Sequence, residues 1–188
     1  IGILGEANPH GWTTEKAIDA ALEVGERAAE ASAAAGVSLH IENMMSQPLL
    51  CLPEHYVQLF ERLAAPNVLM CLDVGHAALD ARHYGFDLVE FCSAVAPFTG
   101  SIHLYNNQIH EDFDFGALRE QGRLRKVPVH PEQPTGQQWI DIAAVLDAVL
   151  SVNPQTLVTF EVYFALDTDR DTTRQGLEWT AELCTRWW

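Results

Sequence analysis

The sequence predicts an α/β protein with a parallel sheet, built as part of a (β/α)8 TIM barrel. Three observations carry that prediction. Apolar runs alternate with amphipathic patterns, strand then helix, five times over; this order implies a parallel sheet with right-handed crossovers. Four of the runs stop on an ionisable group: residues 38–41 at Glu42, 68–72 at Asp73, 100–102 at His103 and 157–160 at Glu161. The steps are 31 residues from Glu42 to Asp73, 30 to His103 and 58 to Glu161. The first two match one βα unit each, and the last is one unit enlarged by a long loop. Parallel α/β proteins bind ligands at the carboxyl ends of their strands, so these four strand ends are expected to form one site. A doubly wound open sheet is the alternative. It gathers its site at one switch point, usually with a glycine-rich phosphate turn, and neither GxGxxG nor GxxxxGK[ST] occurs here.

The elements follow in order. Ile1-Gly2-Ile3-Leu4 reads as the end of a strand, and a loop with Glu6, Asn8 and His10 follows. A helix capped by Thr13 or Thr14 carries Ala17, Ile18, Ala21, Leu22, Ala28 and Ala29 on one face and stops at Gly36. After the strand to Glu42, Pro53 suits a first helical position, and Tyr56, Val57, Phe60, Leu63 and Ala64 form that helix's buried face. Pro66-Asn67 turns into the strand ending at Asp73, and a loop after His76 is expected to lead to a helix from about Asp87. That helix points Leu88, Val89, Cys92, Val95 and Ala96 inward and ends at Pro97. The strand over residues 100–105 is followed by a connection of about thirty residues, far beyond the usual few. Residues 139–150 read as helix, Asn153-Pro154 turns into the strand ending at Glu161, and a last helix from about Asp171 carries Leu177, Ala181 and Cys184.

Composition sets the bounds. With 188 residues, 48% hydrophobic and 20% charged, the chain reads as a single domain over residues 1–188. No run approaches the roughly 18 apolar residues of a membrane span, so no membrane partner is expected. The net charge of −15 argues against nucleic acid, because a phosphate backbone needs a basic face. Cys51, Cys71, Cys92 and Cys184 form no CxxC pair and read as buried free thiols of a cytoplasmic protein.

Glu42, Asp73, His103 and Glu161 make a mostly oxygen site, suited to one divalent ion: Mn²⁺, Mg²⁺, Co²⁺ or Fe²⁺, or Zn²⁺ with further ligands. Such an ion polarises a carbonyl while a carboxylate removes the adjacent proton, so Glu42 and Glu161 are candidate catalytic groups as well as ligands. His76 could orient a substrate hydroxyl or transfer protons. A lone acid at a strand end is ordinarily a solvated loop acid; four converging groups are not. The residues two before each ligand, His40, Cys71, Ser101 and Thr159, should lie one layer deeper. All four are small or polar, and they are expected either to support the ligands or to satisfy their hydrogen bonds locally.

The motifs Leu39-His40-Ile41-Glu42-Asn43, Cys71-Leu72-Asp73-Val74-Gly75-His76, Ser101-Ile102-His103-Leu104 and Thr159-Phe160-Glu161-Val162 resemble the xylose-isomerase-like TIM barrels. That superfamily includes sugar isomerases and epimerases, hydroxypyruvate isomerase, inosose dehydratase and the AP-endonuclease branch. The resemblance implies that the visible strands are the fourth to the eighth, the C-terminal five βα units. It also implies a metal-dependent isomerase or epimerase of a sugar-like hydroxycarbonyl compound, acting by proton transfer through an enediolate. A dehydratase or lyase using the same enolisation is the alternative, followed by an AP-endonuclease-type metallohydrolase and a non-catalytic binding protein on a decayed barrel. The family often carries Asp-x-His and a glycine-rich turn after the seventh strand; here His130 matches, and Pro128 stands in the acid's place.

Candidate substrate-binding residues are Glu6, His10, Trp12, Tyr105, Asn106 and His130, with Trp12 and Tyr105 placed to stack on a sugar. Arg119, Arg123, Arg125 and Lys126 form a cationic cluster. It reads as a solvated helix face, a site for a substrate phosphate or carboxylate, or a subunit contact. Five strands leave two open sheet edges. The expectation is therefore roughly 80–90 further N-terminal residues, three βα units, or a homodimer in which a second chain supplies equivalent strands.

Overall fold

The structure, a computed structural model, describes residues 11–45, 49–107, 126, 128–132, 139–162 and 170–188. The expected first strand, Glu6, His10, Arg119, Arg123, Arg125 and the turn at Gly136 lie outside the described residues.

Four strands, β1 (Leu39–Glu42), β2 (Val68–Asp73), β3 (Thr99–Leu104) and β4 (Leu157–Phe160), form one parallel sheet in the order β1-β2-β3-β4. Each strand lies beside its successor, with no reversal of direction among them. That is the order of a singly wound barrel wall, whereas a doubly wound sheet reverses at its switch point. Paired residues include Asp73 with His103 and Glu42 with Cys71, so the strand ends line up on one rim. Glu161 follows β4, and its backbone N–H donates to the Leu104 carbonyl, carrying the pairing one residue further.

Side-chain alternation separates two faces. Met70, Leu72, Ile102 and Leu104 are fully buried against the helices in the main core, with Phe91, Val95, Val145, Leu146 and Leu150. Cys71, Asp73, Ser101 and His103 face the other way. A smaller core of Ile18, Leu22, Leu59, Leu63 and Val68 joins the first two helices to β2.

The first helix, α1 (Thr14–Ala35), is framed as expected. The Thr13 hydroxyl accepts from the Lys16 N–H, and Gly36 closes it in the left-handed region at φ 68°. In α2 (Pro53–Leu63) the inward face is Tyr56, Leu59, Phe60 and Leu63. Ala64, expected on that face, is instead the exposed C-cap at φ 47°.

A larger difference lies after β2. The expected loop is a helix, α3 (Val74–Tyr84), which starts directly at Asp73 and ends at Gly85 in the left-handed region. His76 sits in its first turn. α4 (Leu88–Val95) runs into a 3₁₀ turn, Ala96–Phe98. α5 (Ile142–Leu150) begins three residues later than expected, because the Asp141 side chain caps it by accepting from the Ala144 N–H. In α6 (Arg170–Cys184) the buried face is Thr173, Gly176, Thr180, Leu183 and Cys184. Leu177 and Ala181 are exposed, since a Cβ at Gly176 would collide with the Val129 carbonyl and this close approach sets the rotation of the helix. All four cysteines are buried and free, and no described helix is long and apolar enough to cross a membrane.

Candidate metal centre

Glu42, Asp73, His103 and Glu161 converge at the carboxyl ends of β1 to β4. Each offers one ligand atom, and these atoms all lie within 4.8 Å of one another. Asp73 is fully buried, while Glu42, His103 and Glu161 are partly exposed.

Asp73 is the most tightly held. Its Oδ1 accepts from the His76 N–H at 2.8 Å, as the N-cap of α3, and from the Tyr105 hydroxyl at 2.7 Å. Its backbone is clamped by Asn43, whose Oδ1 accepts from the Asp73 N–H at 2.7 Å and whose Nδ2 donates to the Asp73 carbonyl at 3.0 Å. That leaves Asp73 Oδ2 facing the site. Tyr105 reaches Asp73 because residue 75 is glycine; a Cβ there would fall inside the Tyr105 ring.

His103 Nδ1 stands 3.1 Å from Glu161 Oε2, 3.9 Å from Glu42 Oε1 and 4.0 Å from Asp73 Oδ2. Among the described residues, His103 Nδ1 is a buried polar atom without a hydrogen-bond partner. Leaving such atoms unpaired costs free energy, and an exception in a folded protein needs a reason. A cation held among four ligand atoms supplies one. Three carboxylates and one imidazole form an oxygen-rich set that fits Mg²⁺ or Mn²⁺ and admits Zn²⁺. Burial raises the Glu42 carboxyl above its ordinary pKa; Asp73 and Glu161 add to the shift, and His76 and His103 oppose it.

Lys126 also enters this cluster. Its Nζ lies 3.5 Å from Asp73 Oδ2 and 2.5 Å from Glu161 Oε2, the latter an ion pair without hydrogen-bond geometry. It stands 4.4 Å from the Tyr105 ring centroid, and its side chain is only 6% exposed.

The other candidates fall in different places. His76 is buried beside the ligands, with Nδ1 2.9 Å from the Asn43 carbonyl oxygen and 3.3 Å from Glu42 Oε1. A carbonyl only accepts, so Nδ1 carries a proton. Tyr105 is fully buried; its ring does not offer a sugar a stacking face, and it serves Asp73 instead. Asn106 is also buried, and its Oδ1 accepts from the Ile140 and Asn107 N–H groups. His130 bonds Gln175 through Nε2 and the Glu132 N–H through Nδ1. Trp12 carries the Lys16 ammonium 5.2 Å from its ring centroid.

Of the deeper layer, His40 Nδ1 bonds Ser101 Oγ at 2.8 Å, so that pair is satisfied internally. The residues that brace the ligands are Asn43 and Tyr105, whose roles sequence reasoning missed. Asn43 adjoins Glu42 in the sequence, but nothing there signals its partner thirty residues on.

A family model described as xylose isomerase-like TIM barrel matches residues 2–183. No curated protein matches the chain. Similar solved structures include a xylose isomerase-like TIM barrel protein from Mycobacterium smegmatis in complex with magnesium, at 17% identity and TM-score 0.62, covering 90% of this chain and 51% of that one. The IOLI protein with a bound zinc atom aligns at 16% identity and TM-score 0.69, covering 97% and 62%. L-ribulose 3-epimerase aligns at 17% identity and TM-score 0.60, covering 97% and 59%. The likeness is one of fold, and the chain spans between 51% and 62% of the length of these structures.

Proposed function

From the premise that the chain belongs to the xylose isomerase-like TIM barrel family, we propose that it is a metal-dependent isomerase or epimerase of a sugar-like hydroxycarbonyl compound. The observation that carries this reading is the convergence of Glu42, Asp73, His103 and Glu161 within 4.8 Å. Two of the four, Glu42 and Glu161, are partly exposed carboxylates able to exchange protons with a bound molecule.

Glu42, Asp73, His103 and Glu161 would hold a divalent ion, Mn²⁺, Mg²⁺, Co²⁺ or Zn²⁺, which would supply Lewis-acid polarisation of a carbonyl. Asp73 and His103 act as holders, Asp73 being fixed on three sides by Asn43, Tyr105 and the start of α3. Glu42 is the base that takes the proton beside the carbonyl. Glu161, on the next barrel position past His103, returns a proton to the neighbouring carbon or to the opposite face. His76, held by Asn43 through Nδ1, presents Nε2 to accept from a substrate hydroxyl.

Glu42→Gln and Glu161→Gln test the reading in D₂O with ketoses, inososes and hydroxypyruvate as candidate substrates. Each amide should reduce solvent-deuterium incorporation by about 10²-fold or more while KM changes little, because it cannot accept the proton. Near wild-type exchange in either variant removes that residue from acid–base chemistry. Metal-free protein gives the background.

A further inference from the structure

Asp73 has two carboxylate oxygens, and the fold commits one of them. Oδ1 receives the His76 N–H and the Tyr105 hydroxyl, leaving Oδ2 as the atom that can hold a cation. Lys126 Nζ lies against that atom at 3.5 Å. Glu161 Oε2, the oxygen that faces His103 Nδ1 at 3.1 Å, is 2.5 Å from the same ammonium. Lys126 thus claims the two oxygens that a divalent ion would need from Asp73 and Glu161. Its side chain is 6% exposed, and its charge lies over the Tyr105 ring, a favourable setting for a cation.

We propose that Lys126 is a built-in competitor for the divalent ion, holding Asp73 Oδ2 and Glu161 Oε2 until the ion expels it. The inference rests on the metal reading of the same four side chains. Two cations on shared oxygens repel one another strongly at a weakly screened site, so binding of the ion requires the ammonium to leave. Lys126 therefore lowers the affinity of the site, and occupation by the ion turns a sheltered amine into an accessible one.

Two readouts, neither of them activity, test this. Calorimetric titration with Mn²⁺ should show Lys126→Met binding about tenfold or more tightly than the native chain. In the native chain, saturation with Mn²⁺ should raise acylation of Lys126 several-fold, read by peptide mass spectrometry. Lys16, the only other lysine in the sequence and an exposed one, serves as the internal control and should not change. Equal or weaker binding by the variant, or unchanged labelling of Lys126, overturns the inference while leaving the metal site intact. Failure of both proteins to bind Mn²⁺ removes the metal site and the inference with it. Should Lys126→Met not fold, Lys126→Gln replaces it, and the labelling measurement needs no variant.

Discussion

The Asn43 side chain takes the part of a peptide group beyond the end of β1. It accepts from the Asp73 N–H and donates to the Asp73 carbonyl, pairing with both backbone groups of that residue. Its own backbone carbonyl fixes the His76 ring. Removing it takes a partner from a buried backbone donor and acceptor, and a buried group left unpaired costs about 1–3 kcal/mol. Asn43→Ala should therefore lower unfolding stability by about 2 kcal/mol or more, measured by urea denaturation. An unchanged midpoint would mean that the clamp contributes nothing.

At this scale the four candidate ligands were legible in the sequence, because each follows an apolar run. Asn43 and Tyr105 were not, because their roles depend on contacts with a residue about thirty positions away. The burial of Tyr105 was hidden for the same reason: a strand-end aromatic looks alike in sequence whether its ring is open or covered.

Among elements, α3 is the one the sequence concealed. Every residue from Val74 to Ala81 is buried, so no polar stripe marks a helical period. The run looks like an apolar strand passing into a loop. α1, by contrast, has an exposed face, a threonine cap and a left-handed glycine, and its ends were read correctly. The start of α3 also ties fold to site, since Asp73 is at once its N-cap and a candidate ligand. Asparagine caps about as well as aspartate, and alanine does not. Asp73→Ala should be less stable than Asp73→Asn by about 1 kcal/mol in thermal or urea unfolding, while both lose divalent-ion binding. Equal stability of the two variants would show that the cap does not support α3.

Over the whole molecule, the repeating order of strand and helix was enough to predict a parallel barrel wall, and the sequential order β1-β2-β3-β4 agrees with it. Periodicity could not supply the helix rotations. The buried face of α6 follows from the contact between Gly176 and the Val129 carbonyl, which no local pattern encodes. Nor could it place Lys126 inside the site, because a lysine in a long connection next to arginines reads as a solvated charge. The sheet's alternation gives the helix side a dry core of Met70, Leu72, Ile102 and Leu104 and leaves the opposite face to the ligands. The central claim is that this face holds one divalent ion between Glu42, Asp73, His103 and Glu161. Anomalous diffraction at the manganese edge, from crystals equilibrated with Mn²⁺, tests it most directly. One strong peak per chain is expected among these four side chains, absent from Asp73→Asn crystals. No peak there, or a peak elsewhere that survives the substitution, would contradict it.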